Sequence, residues 1–169
     1  DVDTMTVINQ ECTRYGDFLL EEIHAKEVCG DWASALQSYE QAIQLKTHSS
    51  SSGGNNDDNT TLERGMLRSL LELGQIESVL NQVGGMLNRK NNNDKTPSQL
   101  LPSAIEAAWR LQRWPLLDDL INQQLENMKL TREASVDADA MYQVCVGRAM
   151  LGLQEGNVEL VRRVLDDAR

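Results

Sequence analysis

Apolar residues recur along this chain with the period of an α-helix, about 3.6 residues per turn. The first such run covers residues 4–28, and its apolar positions are Val7, Ile8, Cys12, Tyr15, Leu19 and Ile23. The β-branched residues do not form runs with period-two alternation, which a half-buried strand would show. The pattern therefore predicts an all-α protein.

Turn residues divide this pattern into eight helices. Gly30 breaks the apolar pattern after the first helix, and Asp31 is a good N-cap for the second. Gly74 is a C-cap candidate for the third helix, because glycine readily adopts the left-handed conformation that often ends a helix. Pro115 suits the first turn of the sixth helix, where its missing N–H is not needed, and Gly156 precedes the eighth helix. The other predicted helices cover residues 4–28, 32–46, 62–73, 75–87, 102–111 and 136–153.

The second helices of successive pairs can be aligned with one another. The first aligned position holds Trp32, Ile76, Trp114 and Val158, which stand 44, 38 and 44 residues apart. Three residues further stand Ala35, Val79, Leu117 and Val161, and seven residues further stand Tyr39, Val83, Ile121 and Leu165. These positions share one helical face, so they predict a repeated core.

A two-helix repeat of this length is typical of an α-solenoid. The predicted fold is an α-solenoid of about four tetratricopeptide-like hairpins, with units over residues 4–46, 62–87, 102–127 and 136–169. The predicted repeat core consists of the aligned residues together with Trp109. The tryptophans could instead stack on a ligand, but their place in the repeat favours the core.

Two polar stretches interrupt the repeat, over residues 47–61 and 88–98. The first contains no apolar residue and is rich in Ser, Gly, Asn and Asp, and the second has the same character. Such segments bury too little surface to offset the entropy of ordering, so both are predicted to be flexible loops. Similar helical patterns flank each loop, which predicts a single helical-repeat segment over residues 1–169.

The charge of the chain argues against direct binding to nucleic acid. Its 16 Lys and Arg residues are outnumbered by 26 Asp and Glu, and the formal net charge is −10 at pH 7. Nucleic-acid binding draws most of its affinity from clustered basic residues, which are absent. No apolar run is long enough to cross a membrane, and the first residue, Asp1, suggests a piece of something longer.

The sequence offers no convincing catalytic, cofactor-binding or metal site. A kinase needs a phosphate-binding loop and metal-holding aspartates, and the DFL at residues 17–19 fits a helix better than that motif. His24 and Cys29 stand five residues apart, without a group to orient them as a nucleophile pair. The two histidines and three cysteines lack the spacing of a zinc site, and three cysteines without a CxxC pair fit a reducing compartment.

Two stretches of the chain together resemble the FAT region of ATR-type phosphatidylinositol-3-kinase-related protein kinases. The first, residues 65–87, contains the turn Leu73, Gly74 and Gln75. The second, residues 106–121, contains the EAAW motif, which ends at Trp109, and the turn that leads to Trp114. DWASALQSYEQAIQL, residues 31–45, fits the preceding repeat, so the resemblance covers residues 25–168. The two polar loops depart from the family and look like lineage-specific insertions.

The resemblance implies a scaffold within a much larger protein. Its fold would be the tetratricopeptide-like solenoid that surrounds the kinase domain of these proteins. The parent would be a nuclear serine/threonine protein kinase of the DNA-damage checkpoint and of DNA repair, which responds to stalled replication forks. Its partners would be the rest of the parent chain, an ATRIP-like subunit and a second copy. ATP and Mg²⁺ would bind to the parent kinase, and this segment would bind no cofactor.

A free-standing tetratricopeptide-like adaptor is the alternative interpretation. Such adaptors bind peptide segments in a concave groove, often through basic or Asn clamp residues. The positions that can be assigned to the inner helices show no such clamp, which favours the scaffold. Solenoids need polar capping helices at both ends, whereas Val161, Val164 and Leu165 lie in the last predicted helix. An exposed apolar edge there would favour a piece of a longer array.

Overall fold

The structure is a computed structural model that describes residues 18–49, 56–90, 99–130 and 138–167. Within these ranges the chain forms eight α-helices and no strand, so the all-α prediction is confirmed. Helix α1 covers residues 18–28. The others are α2 (Trp32–Ser49), α3 (Asn56–Glu72), α4 (Ile76–Lys90), α5 (Leu101–Arg110), α6 (Trp114–Leu130), α7 (Ala138–Gln154) and α8 (Val158–Asp167).

The predicted loop over residues 47–61 is too long. Helix α2 continues to Ser49, and α3 begins at Asn56 rather than near Leu62. Two acidic residues follow Asn56, and negative charge stabilises the N-terminus of a helix through its dipole. Thr60 is buried in this added turn, which composition alone could not indicate. Helix α4 likewise extends to Lys90, while residues 50–55 and 91–98 lie outside the described ranges.

A residue with left-handed backbone conformation precedes each even-numbered helix. Gly30, Gly74 and Gly156 have φ near +70°, and Gln112 has φ 56°. The N–H of Gly30 donates to the carbonyl of Glu27, and the next N–H donates to the carbonyl of Lys26. This pair of bonds is the Schellman motif, and the same pair follows α5 at Gln112 and α7 at Gly156.

Side-chain caps start two of the helices that follow these turns. Asp31 Oδ1 accepts the N–H of Ser34 at 3.2 Å, and Asn157 Oδ1 accepts the N–H of Leu160 at 3.0 Å. Hydrogen bonding by Ser34, through its side chain and its backbone N–H, lowers the pKa of Asp31. The predicted N-cap role of Asp31 is thereby confirmed.

The chain divides into two compact units, one that ends at Leu73 and one that begins at Gly74. In the first unit α2 packs against α3. Hydrogen bonds join α1 to α2, since Lys26 Nζ donates to Ser38 Oγ at 2.8 Å. The prediction of a single helical-repeat segment over residues 1–169 stays a prediction.

The second unit contains α4 to α8. Helix α5 packs against α4, α6 and α7, while α7 also packs against α6 and α8. The buried side of α5 is almost entirely aliphatic, with Leu101, Pro102, Ala104, Ile105, Ala107 and Ala108. Helix α5 therefore forms the centre of this unit's core.

We predict that Gln112→Gly stabilises the chain. A side chain in the left-handed conformation costs about 1–2 kcal/mol, and glycine's extra freedom in the unfolded chain offsets about 0.5–1 kcal/mol of that gain. Urea unfolding followed by circular dichroism should show an unfolding free energy higher by up to about 1 kcal/mol. Gly156→Gln is the matched reverse change, because open space surrounds that position, and it should destabilise. A loss of stability in Gln112→Gly would contradict the prediction.

Candidate functional site

Among the described residues, His24, Cys29 and Cys145 were considered for chemistry from the sequence. His24 is exposed, and its Nδ1 lies 4.0 Å from Glu27 Oε2. Cys29 is an exposed free thiol, and Cys145 is a half-buried one. Cys12 and Asp17 lie outside the described residues. Glu27 Oε2 is too far from His24 Nδ1 for a hydrogen bond that would orient His24 toward Cys29.

The described ranges contain neither a cluster of metal ligands nor a membrane-spanning helix. Residues 18–49, 56–90, 99–130 and 138–167 contain no group of three or more His, Cys, Asp or Glu that could hold a metal ion. Among the helices in those ranges, none combines the length and apolar character that a membrane span requires.

In the first unit the predicted core residues surround the contact between α2 and α3. Ala35 and Tyr39 are buried, while Trp32 is half-buried beneath the Arg68 guanidinium, 5.6 Å from the ring centroid. Tyr39 OH donates to Glu27 Oε1 at 3.0 Å, so the ring also ties α2 to α1. Burial, together with this hydrogen bond, raises the pKa of Tyr39 far above its usual value.

Gly65 of α3 makes the close packing of the Tyr39 ring possible. A Cβ built at Gly65 would overlap the ring atoms of Tyr39. The Gly65 carbonyl also accepts a hydrogen bond from the fully buried Ser69 hydroxyl at 3.0 Å. The sequence pattern gives no indication of the role of Gly65, because the interior of an apolar helical pattern does not show that another helix contacts its backbone.

In α4, α5 and α6 of the second unit, four of the seven predicted core positions are buried. Val79 and Val83 of α4 and Leu117 and Ile121 of α6 are buried. Ile76, Trp109 and Trp114 are half-buried. The indole Nε1 of Trp109 is buried and has no hydrogen-bond partner among the described residues. The tryptophans thus contribute partly covered ring surface rather than fully enclosed core.

A second glycine, Gly147 of α7, inserts between α5 and α6. A Cβ at Gly147 would lie 2.9 Å from Ile121 Cδ1, 3.1 Å from Ile105 Cγ2 and 3.3 Å from Leu117 Cδ1. These aliphatic side chains form the apolar surface on which α7 packs. Two of them, Leu117 and Ile121, are predicted repeat-core residues, so the repeat positions identify one side of this contact.

Glu106 links the polar edges of α5 and α7. Its Oε1 lies 2.5 Å from Arg110 Nη2, and its Oε2 accepts the Gln143 amide at 3.2 Å. The EAAW motif at residues 106–109 thus supplies a polar contact as well as apolar packing. From the sequence, Glu106 is identified only as the first residue of that motif.

Gln124 of α6 is a polar residue inside an apolar core. Only 2% of its surface is exposed, and its Oε1 has no hydrogen-bond partner among the residues described. A buried acceptor without a partner costs about 1–3 kcal/mol. The apolar pattern did not identify this residue, because glutamine counts as polar there.

Helix α8 differs from the predicted repeat core. Val158 is 68% exposed and Leu165 is 58% exposed, so neither lies in the core that the structure describes. Val161 is half-buried, and Val164 is the buried apolar residue of this helix. The aligned residue Ile121 of α6 lies against Gly147 of α7, whereas among the described helices α8 packs only against α7.

Adjacent acidic residues of α1 and α6 lie on exposed helix faces. Glu21 and Glu22 of α1 are exposed, and Glu22 Oε1 lies 2.6 Å from Lys26 Nζ. Asp118 and Asp119 of α6 are also exposed. A salt bridge at an exposed surface, such as the one between Glu22 and Lys26, adds little to the stability of the fold.

We predict that Gly65→Ala lowers the unfolding free energy by about 1–3 kcal/mol, because the new methyl group displaces the Tyr39 ring. Gly85→Ala is the control, since nothing lies within 4 Å of its added Cβ. That control should stabilise α4 by up to about 1 kcal/mol through helix propensity. Urea unfolding of both variants tests the contact, and equal stabilisation by the two substitutions would contradict it.

We predict that Gln124→Met stabilises the second unit by about 1 kcal/mol, because it removes a buried unpaired acceptor with little change of volume. Thermal unfolding of the full chain measures the effect. Gln123→Met, at the exposed neighbouring position, controls for helix propensity and should change stability much less. A destabilised Gln124→Met variant would mean that the amide makes a contact that this structure does not contain.

Comparison with known proteins gives a distant similarity. Over 108 residues, 64% of its length, the chain is 26% identical to the curated protein Serine/threonine-protein kinase ATR of Oryza sativa subsp. indica. Identity and coverage are the same for the protein of that name from Oryza sativa subsp. japonica. No protein-family model matches the chain, and no solved structure matches it.

The aligned residues make up 4% of the length of each of these relatives. The chain thus aligns with a small segment of each of these long relatives. The similarity agrees with the ATR-type kinase resemblance for part of the chain. On this evidence the chain is distantly similar to a segment of the serine/threonine-protein kinase ATR.

Proposed function

We propose that this chain is a helical scaffold segment, the FAT region, of an ATR-type serine/threonine protein kinase. The observation that carries the proposal is the 26% identity to ATR kinases over 108 residues. The aligned relatives are kinases by name, and the proposed role of this segment is to support the kinase domain and the assembly of the complex.

The packing of the helices supports a scaffold role. In both units a glycine lets another helix approach closely, at Gly65 in the first and at Gly147 in the second. Closely packed interiors resist compression and transmit displacement. Such helices can hold a distant kinase domain in position without taking part in its chemistry.

The proposed fold is the α-solenoid of about four tetratricopeptide-like hairpins. Its support is the set of left-handed turn residues Gly30, Gly74, Gln112 and Gly156, which stand 44, 38 and 44 residues apart, the offsets of the aligned helices. A constant turn geometry at repeated spacing is what a solenoid of helical pairs requires.

The proposed context is DNA-damage and replication-stress checkpoint signalling in the nucleus. The proposed partners are the rest of the parent chain, an ATRIP-like subunit and a second copy of the kinase. ATP and Mg²⁺ bind in the parent's kinase domain, and this segment itself catalyses no reaction. The net charge of −10 supports the absence of direct nucleic-acid binding by the segment.

The proposal predicts the mass of the native protein. Since 108 residues are 4% of the relative, the relative has about 2,700 residues; at 18.9 kDa per 169 residues, its mass is about 300 kDa. An antibody raised against this chain should detect a band of that size in native cell extract. A band near 19 kDa would overturn the proposal and favour a free-standing adaptor that binds peptides.

Kinase function can then be tested on the immunoprecipitated protein. It should phosphorylate serine or threonine in an ATP-dependent manner. Gly65→Ala introduced into the native gene should lower this activity or the amount of protein, whereas the control Gly85→Ala should not. Immunoprecipitates of the expected mass without kinase activity would contradict the kinase assignment.

A further inference from the structure

Helix α4 contains two adjacent glycines in its interior. Gly84 and Gly85 lie eight and nine residues after Ile76, where the helix begins, and the helix continues to Lys90. Glycine is the weakest helix former apart from proline, and each glycine lowers the equilibrium constant for helix formation about fivefold relative to alanine. The second half of α4 is therefore intrinsically much less stable as a helix than the first half.

Among the described residues, no close contact requires these two glycines. A Cβ added at Gly84 or at Gly85 would have nothing within 4 Å, whereas a Cβ at Gly65 or Gly147 would meet side chains of another helix. In α3 and α7, glycine thus permits close packing. In α4 the remaining effect of glycine is on the backbone, which it leaves freer to unfold.

The closely packed part of α4 ends directly before the glycine pair. Val79 is fully buried and Val83 is 1% exposed. The next residue on the same helical face is Met86, three residues after Val83, and it is only half-buried. Burial therefore holds the first half of α4 in place more firmly than the turn that follows the glycines.

The aligned helices α2 and α6 have neither feature. Met86 corresponds to Ala42 of α2 and to Gln124 of α6, at the repeat offsets of 44 and 38 residues, and these two residues are 6% and 2% exposed. The glycine pair corresponds to residues 40–41 and 122–123, which contain no glycine. Among these three helices, weaker burial and low helix propensity therefore coincide only in α4.

We propose that α4 contains a conformational hinge at Gly84 and Gly85, beyond which residues 84–90 unwind reversibly while residues 76–83 stay packed. The packed half remains held by the contact between α4 and α5. Segments open locally where few buried contacts hold them, and low helix propensity favours the open state further. The hinge rests on burial and propensity, so it does not depend on the proposed kinase function.

Opening of the hinge lengthens the connection between α4 and α5. As a helix, the seven residues 84–90 span about 10 Å, at about 1.5 Å per residue. Unwound and fully extended, they reach about 24 Å. Val79 and Val83 keep their buried positions in both states, so the unit can yield at this point without losing its core. A binding partner that prefers one state would shift the population toward that state.

Hydrogen exchange of the full chain, followed by NMR, measures the opening. The backbone amides of residues 86–88 should share one protection factor that changes little in dilute urea, because local opening exposes little surface. The amides of residues 80–83 should be more strongly protected, and their exchange should accelerate as urea is added. A step in protection at the glycine pair is the result that the hinge predicts.

Alanine substitutions test whether the opening begins at the glycines. Gly84→Ala and Gly85→Ala should each raise the protection factors of residues 86–88 about fivefold, and the double variant about 25-fold. The two effects should multiply, because adjacent residues of a helix do not contact each other. Asn81→Ala is the matched control, at an exposed position that stays helical in both states. It should leave the protection factors of residues 86–88 unchanged.

Three outcomes would overturn the proposal. The first is that residues 86–88 exchange as slowly as residues 80–83 and with the same urea dependence, which would mean that α4 opens only when the whole unit unfolds. The second is a protection that falls steadily toward Lys90 and does not respond to the alanine substitutions, which would indicate ordinary fraying of a helix end. The third is that the alanine variants are less stable than the wild type, which would mean that the glycines accommodate a close contact.

Discussion

Each even-numbered helix of this chain depends on one backbone conformation, a left-handed residue just before it. The helix ends because that residue leaves the right-handed region, and two N–H groups turn back to satisfy the final carbonyls. At Gly30, Gln112 and Gly156 both hydrogen bonds of this motif form. The next helix begins two residues later, so its apolar face has a defined direction before any tertiary contact exists.

Glycines inside the helices have a different role from those in the turns. Gly65 and Gly147 have ordinary helical backbones, and their importance lies in the missing Cβ, which admits the Tyr39 ring in one case and aliphatic side chains in the other. Glycine costs about 1 kcal/mol relative to alanine within a helix. The contacts that it permits offset this cost, since close approach brings many weak dispersion contacts together.

The sequence was sufficient for the helices and most of the turns, because periodicity and glycine act locally. It indicated the turn at Gln112 only indirectly, through Pro115 and the repeat, since glutamine is not a usual left-handed residue. Repeat alignment located Leu117 and Ile121 in the core, but not the glycine that packs on them. It also placed Val158 and Leu165 in the core, because alignment reports which face is apolar and not whether a neighbour is present to cover it.

The contacts of the second unit have a consequence for how it is made. Its packed helix pairs are α4 with α5, α5 with α6, α5 with α7, α6 with α7 and α7 with α8, so each joins sequence neighbours or next neighbours. Folds dominated by such local contacts form quickly, since little loop entropy is lost before each contact is gained. During synthesis on the ribosome, each helix of this unit after α4 finds a packing partner already present in the emerged chain. Assembly in the order of translation then leaves each apolar helix exposed for only a short time.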